Sequence, residues 1–352
     1  MKTVGIIGAS GYTGGELLRI LVNHPEADIK VATSRENAGE PVYRIHPQLR
    51  KFTELKFVEP DVKKIAESCE FVFLALPHGA SAPVAKRLLE EGVRVIDLSA
   101  DFRLKNKDDY PKWYGWEHPC PELLQEAVFG LPEFHRDEIR NARLVANPGC
   151  IATASILSLA PAIKTGAIEK NRVVVDAKIG SSGAGVAVSE ASHHPEHSNL
   201  VRAYKPVMHR HTAEIEQELS LKAGGEKVTV ALTPHAVDMV RGIMATGHSF
   251  LTREVTNQEM WKDCREMYQN EPFVRIVKDH KGLHLLPDPK NVIGSNFCDV
   301  GFEIDPHAKR LVTFGAIDNM LKGAAGQAVQ NFNLMIGVDE RTGIRFTGVR
   351  PV

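Results

Sequence analysis

The sequence predicts an α/β fold built as two domains, on three observations. Short β-branched runs alternate with helical patterns up to Gly149, the rhythm changes after Pro161 to longer strand-like runs, and 352 residues exceed the roughly 250 to 300 over which one core keeps growing. In the first part, strands are expected at 3–7, 29–33, 71–76, 93–98 and 143–146, with helices at 16–22, 62–67 and 83–90 between them. Such alternation implies a parallel sheet covered on both faces. Beyond Pro161 the runs 173–178, 228–232, 242–250, 300–304 and 311–317 have fewer helices between them, which predicts an α+β domain with a mixed or antiparallel sheet. A helix at 323–336 is placed to return to the first domain, so the expected boundaries are 1–149 with 319–352, and 150–318. The stretch 180–211, rich in Gly, Ser and His, reads as a long functional loop.

Composition excludes several classes. Lys and Arg (43) nearly balance Asp and Glu (44), leaving a net charge of −1 and no field to hold nucleic acid or an anionic membrane. The five cysteines, Cys69, Cys120, Cys150, Cys264 and Cys298, are scattered without a Cys-x-x-Cys pair, unlike a disulfide framework or a zinc knuckle. A reducing cytoplasm fits that pattern. The N-terminal apolar run is broken by Gly5 and Gly8 and is too short for a signal peptide or a membrane span.

The first strand runs into Gly8-Ala9-Ser10-Gly11-Tyr12-Thr13-Gly14 and then a helix. Glycines there let backbone approach a pyrophosphate, and the helix start offers unpaired N–H groups and a positive dipole end, which is Rossmann-type dinucleotide chemistry. The spacing is G-x-x-G-x-x-G, and a purely structural strand-to-helix turn is the alternative. The second strand ends at Ser34-Arg35, a basic residue where NAD binders place an acidic one, so Arg35 suits a 2′-phosphate and the cofactor is expected to be NADP(H). Glu36 alongside weakens that reading.

Cys150 follows Asn147-Pro148-Gly149 and opens a small-residue helix. A thiol at a helix start is favoured as thiolate by the dipole, although a thiol of pKa about 8.5 is already roughly a tenth ionised near neutral pH, so this gains only about tenfold. Alignment of a carbonyl and stabilisation of an oxyanion by N–H groups of the same turn are the larger effects. The other four cysteines read as small buried hydrophobes. His193, His194 and His197, with His209-Arg210-His211, form a dense cluster. A metal site is one reading, but Pro195 interrupts the stacking and no H-E-x-x-H occurs, so acid/base work by His209 or His211 is preferred and no metal is expected. Glu214, Glu216 and Glu218 read as a solvated helix face.

The glycine turn, the segment Asp97-Leu98-Ser99-Ala100-Asp101-Phe102-Arg103, the Pro-Gly-Cys turn, His209-Arg210-His211 and the run 318–327 (D-N-M-L-K-G-A-A-G-Q) occur in an order that resembles the N-acetyl-γ-glutamyl-phosphate reductases, over almost the whole chain. The resemblance implies a semialdehyde-dehydrogenase-like fold, a cytoplasmic oxidoreductase of arginine or lysine biosynthesis, and homodimers or homotetramers. It implies Cys150 as nucleophile, His209 as acid/base with His211 orienting substrate, and Gly8, Ser10, Gly11, Tyr12, Thr13, Gly14, Ser34, Arg35 and Asn319 around NADP. Ile151 after the cysteine and Val186 after Ser182-Gly183-Ala184-Gly185 depart from the family pattern, and 192–214 looks closer to the branch whose substrate is carried on a small acidic LysW-type protein. That implies a carrier-linked glutamyl or aminoadipyl phosphate, with the free acetylated acyl phosphate as the alternative. Arg202 and Lys205 suit an acidic carrier by charge, and Arg103 or Arg241 suits the phosphate, with an Arg103–Asp101 ion pair as the other reading of Arg103. A non-catalytic NADP sensor gives no reason for the thiol, a histidine metal hydrolase explains only the cluster, and aspartate-semialdehyde dehydrogenase shares the chemistry but not the H-R-H motif.

Overall fold

The computed structural model describes residues 1–352. They divide into two compact units, Met1–Pro148 with Ala324–Arg345, and Gly149–Gly323 with Phe346–Val352. Residues 319–323 and 346–352 therefore belong to the second unit rather than the first. Hydrogen bonds hold them there: Asn319 Oδ1 accepts the Gly242 N–H at 2.8 Å, and the Val349 N–H reaches the Ile293 carbonyl oxygen at 2.8 Å.

The first unit holds seven strands, β1 (Lys2–Ile7), β2 (Ala27–Thr33), β3 (Phe57–Val58), β4 (Phe71–Leu74), β5 (Arg94–Asp97), β6 (Val128–Phe129) and β7 (Leu144–Ala146). They lie in the order β3-β2-β1-β4-β5-β7-β6, every neighbouring pair parallel. Helices α1 (Tyr12–Leu21), α2 (Val42–Ile45), α3 (Val62–Ser68), α4 (Ala82–Glu90), α5 (Asp109–Trp113) and α6 (Pro132–Asn141) connect them. All four residues of β4 are buried, as the continuous apolar run of a strand covered on both faces requires. Strand order reverses at β1, so the loop leaving β1 lies at a topological switch point, where open α/β sheets bind ligands.

The second unit adds helices α7 (Cys150–Lys164), α8 (His194–His197), α9 (His211–Lys222) and α10 (Asn257–Tyr268). Its strands are β8 (Ile168–Ile179), β9 (Val201–Ala203), β10 (Val230–Val237), β11 (Ile243–Leu251), β12 (Val274–Ile276), β13 (Cys298–Asp305) and β14 (Arg310–Ile317), in the order β12-β13-β14-β11-β8-β10-β9. The sheet is mixed: β8–β10 and β12–β13 are parallel and the other pairs antiparallel. Helix α11 (Ala325–Ile336) belongs to the first unit, where Phe332 meets Phe71 edge-on at 5.2 Å.

Helix α7 is apolar on every side and buried from Ile151 to Ile163, the pattern of a helix inside a core. Gly315 on β14 lets it come close, since a Cβ there would strike the Ala154 carbonyl oxygen. Tyr268 of α10 donates to the Leu157 carbonyl oxygen at 2.6 Å. These contacts fix the axis of α7 and with it the position of Cys150. The stretch 180–211 is not a structureless loop: it contains 3₁₀ turns at Ser181–Ala184 and Glu190–Ser192, then α8 and β9. Pro195 sits in the first turn of α8, where its missing N–H costs the helix no bond.

Candidate active site

In the first unit, the glycine turn is a backbone cradle. Gly8 has φ of 88°, and any Cβ there would run into the Ala75 carbonyl oxygen, so the turn needs glycine on two counts. A Cβ at Gly14 would lie 2.6 Å from the Ala9 Cα. Thr33 anchors the turn from β2, its Oγ1 accepting the Gly8 N–H at 3.2 Å and its carbonyl oxygen the Ala9 N–H at 2.9 Å. Gly11 caps α1 without a side chain, no acidic residue stands in the first turn, and the N–H groups of Ser10, Gly11, Tyr12 and Thr13 reach no backbone acceptor. Free donors at a positive helix end fit a pyrophosphate. Arg35 is exposed and makes no hydrogen bond or ion pair, while Ser34 is buried with its Oγ accepting from the N–H and side-chain amide of Asn37 at 3.2 and 3.1 Å.

In the second unit, Cys150 is the first residue of α7 and half-buried. The N–H groups of Ile151 and Ala152 behind it reach no carbonyl oxygen. Glu214 Oε2, from α9, accepts the Gly149 N–H at 2.8 Å, and Glu214 Oε1 lies 3.9 Å from His211 Nε2. The His211 ring rests against Gly149 so closely that any Cβ at 149 would collide with it. On the far side, a Cβ on Gly323 would lie 2.7 Å from Cys150 Cβ. His209 is buried, follows Met208 at a left-handed φ of 55°, and accepts the His211 N–H on Nδ1 at 3.2 Å. The two rings meet edge to face at 4.7 Å. Burial, with the positive charges of Arg210 and Lys205, pushes His209 down to about 3, so it is neutral at physiological pH with its proton on Nε2. The Tyr204 phenol is pushed up by crowding and by the Cys150 thiol, although its ring as a whole is half exposed.

The other anticipated residues divide. Cys150, His209 and His211 are gathered in the second unit. Asn319 lies there too, but its amide is engaged internally: Oδ1 accepts from Gly242, and Nδ2 donates to Ser182 Oγ at 2.9 Å. Arg241 faces the buried Asp318 at 3.4 Å. Arg202 braces the 190–197 segment through the carbonyl oxygens of Ala191 and Glu196, at 3.2 and 3.4 Å, whereas Lys205 is exposed and makes no ion pair. Arg103, in the first unit, is buried and donates to the carbonyl oxygens of Asn147 at 2.8 Å and Leu98 at 3.0 Å, while the Asp101 carboxylate accepts the N–H groups of Gly79, Ser81 and Ala82. Histidines 193, 194 and 197 do not form a metal centre; no group of three or more His, Cys, Asp or Glu is placed to hold an ion.

One expectation is overturned. Glu214 and Glu218 are fully buried, at 0 and 1 % exposure, and do not form a solvated face. The sequence did hold the signal: His211, Glu214, Ile215, Glu218 and Leu219 fall at i, i+3, i+4, i+7 and i+8, which is the buried stripe of a helix. A carboxylate on such a stripe needs a partner, and Gly149 supplies an N–H. Arg210, between the two histidines, has its Nε buried without a hydrogen-bond partner.

A glycine turn that fits a pyrophosphate on a parallel sheet is the pattern of a nicotinamide-dependent oxidoreductase, and the second unit carries a helix-start thiol in a turn bound by a buried carboxylate and packed against a buried histidine. Family models place the chain: "Semialdehyde dehydrogenase, NAD binding domain" matches residues 3–142, and "Semialdehyde dehydrogenase, dimerisation domain" matches 150–319. The chain belongs to the semialdehyde dehydrogenase family, and its first domain binds a nicotinamide dinucleotide. Over its length it is similar to a LysW-L-2-aminoadipate/LysW-L-glutamate phosphate reductase of Saccharolobus solfataricus, at 51 % identity covering 99 % of this chain and 98 % of that one. A Pyrobaculum aerophilum protein given the same name provisionally is 57 % identical over 99 % of both. Among solved structures, aspartate semialdehyde dehydrogenase II from Vibrio cholerae superposes with a TM-score of 0.70 at 19 % identity, covering 96 % of this chain and 99 % of that one, a likeness of fold alone. No helix is long and apolar enough to cross a membrane.

Proposed function

We propose that this protein is an NADPH-dependent reductase that converts a carrier-linked glutamyl or aminoadipyl phosphate to its semialdehyde, in lysine or arginine biosynthesis, as a homodimer through its second unit. The observation that carries the reading is the half-buried Cys150 thiol at the start of α7, with Gly149 tied to Glu214 and His211. The names of the full-length relatives support the substrate class. Arg35, exposed and unpaired, supports NADPH over NADH, because a guanidinium can donate two parallel N–H bonds to the oxygens of a 2′-phosphate.

Cys150 thiolate attacks the acyl carbon, the C–O bond to phosphate breaks, and a thioester forms. The first-turn N–H groups of α7 stabilise the oxyanion. Arg210, whose Nε has no protein partner, takes the leaving phosphate, in place of Arg103 and Arg241, which hold other groups. His211 takes the thiol proton and returns it to the departing phosphate oxygen, with Glu214 stabilising its charged form. His209, neutral and already accepting on Nδ1, orients substrate by donating from Nε2. NADPH held by the glycine turn would supply the hydride that reduces the thioester; the N–H groups of α7 would hold the resulting alkoxide as it expels Cys150 thiolate and the aldehyde, and one proton from solvent would restore the charged His211 that the next phosphate departure needs. This exchanges the roles that resemblance alone assigns to the two histidines, because a group held near 3 is a poor proton carrier at neutral pH. Lys205, the unpaired cation of the 202–205 pair, faces the carrier's acidic surface.

NADPH oxidation should be followed with LysW-linked aminoadipyl phosphate, LysW-linked glutamyl phosphate and acetylglutamyl phosphate. Turnover of the last alone, or of none, overturns the reading. Cys150→Ser, folded by circular dichroism, should lose on the order of 10³-fold or more in kcat.

A further inference from the structure

His46 lies between α2 and the following 3₁₀ turn, far along the chain from the glycine turn, yet its ring is buried against it. Its Nε2 is 2.8 Å from the Ala9 carbonyl oxygen, and since a carbonyl only accepts, the histidine donates. The ring lies flush on α1, where any Cβ at Gly15 would collide with it. Burial lowers its pKa, so it sits there as a neutral donor.

The Ala9 carbonyl is the acceptor that the Thr13 N–H would find if the helical bonding of α1 began two residues sooner, since helical bonds run from residue i to i−4. In this structure the first bond into α1 is from the Gly15 N–H to the Gly11 carbonyl oxygen at 2.8 Å, and Thr13 has no backbone acceptor. We infer that His46 is a positioning residue for the dinucleotide: by bonding the Ala9 carbonyl from outside α1 it restrains the turn, competes with backward extension of the helix and favours a Thr13 N–H open to the cofactor's phosphates. Thr33 restrains the same turn from β2 by accepting the Gly8 and Ala9 N–H groups. The inference rests on the glycine turn binding the cofactor.

The test is direct NADPH binding by nucleotide fluorescence, at a temperature where each variant is folded. His46→Met keeps bulk without a donor, and His46→Gln keeps an N–H at similar reach. Loss of one hydrogen-bond constraint should raise Kd for NADPH about tenfold in His46→Met and leave His46→Gln within about threefold of wild type, with kcat at saturating NADPH little changed in both. His24→Asn is the stability control: His24 is buried in the same unit, bonded to Asn333 and the Thr342 carbonyl oxygen, and its loss should lower Tm without moving Kd. Equal weakening in the Met and Gln variants, or none in Met, overturns the inference about His46. Failure of the wild type to bind NADPH overturns the reading of the glycine turn itself.

Discussion

Each unit contains a glycine-capped helix start that is a candidate site, and the two are built alike but served differently. Both α1 and α7 are capped by a glycine in extended conformation, Gly11 and Gly149, with no side-chain cap. At α1 the donors are left open and no acidic side chain approaches from the first turn. At α7 the glycine N–H is taken by Glu214, a carboxylate imported from α9. On the function proposed above, the difference follows from what each start would hold. A bound pyrophosphate brings its own negative charge and needs every N–H, whereas a thiolate is part of the helix and needs a proton carrier beside it, which the same carboxylate holds through His211.

The sharpest way to break this comparison is at Gly149. Gly149→Ala puts a methyl where the His211 ring lies, and kcat should fall by about 10²–10⁴-fold, the worth of general acid–base catalysis, while NADPH affinity stays as it was. A loss of NADPH affinity in that variant would show that the two helix starts are not independent. Next comes Glu214→Gln, which keeps the acceptor for Gly149 but removes the charge facing His211. A drop in kcat of roughly 10²-fold with a displaced pH–rate profile is expected, and an unmoved profile argues for a purely structural carboxylate. On the nucleotide side, Arg35→Asp should raise KM for NADPH about tenfold or more and narrow the preference over NADH, as expected from losing a charge-assisted hydrogen bond.

The smallest effect concerns pH. His24, His46 and His118 in the first unit and His209 in the second are all lowered by burial from 6.5. The unfolded chain therefore binds more protons as pH falls below 6.5, and folding stability declines from there toward each folded value. Asp97, at the end of β5, runs the other way: burial and the nearby Asp101 push it up to about 7, so the native state binds the extra proton between 3.8 and 7 and gains stability as pH falls through that window. Asp97→Asn should remove this opposing contribution, and Tm measured from pH 7 to 5 should fall more steeply than in wild type. A parallel slope refutes the assignment.

Much of this molecule was legible before any coordinate. Period and run length located the parallel sheet, because β-branched runs bounded by helical patterns have few other folded solutions. The glycine turn and the helix start at Cys150 were legible because they are features of local backbone: a φ of 88° at Gly8 and a helix start at Cys150 involve only neighbours in sequence. The short strands β3, β6, β9 and β12, of two or three residues, carry too little pattern to be read and exist through pairing with longer neighbours.

Partnerships across sequence distance belong to the tertiary structure. Whether Arg103 meets phosphate or carbonyl oxygens, whether Asn319 faces a cofactor or Gly242, and whether Glu214 faces water or Gly149 depend on which surfaces burial brings together. Residues Gly149 and Glu214 are linked by one 2.8 Å bond that no local rule anticipates, and His46 reaches Ala9 by the same means. By itself, the sequence singled out the helix-start thiol and the glycine turn, since both are properties of a few consecutive residues. Only the packed structure decided which histidine faces a carboxylate and which lies depressed to about 3 beside two cations, because desolvation and charge act through space.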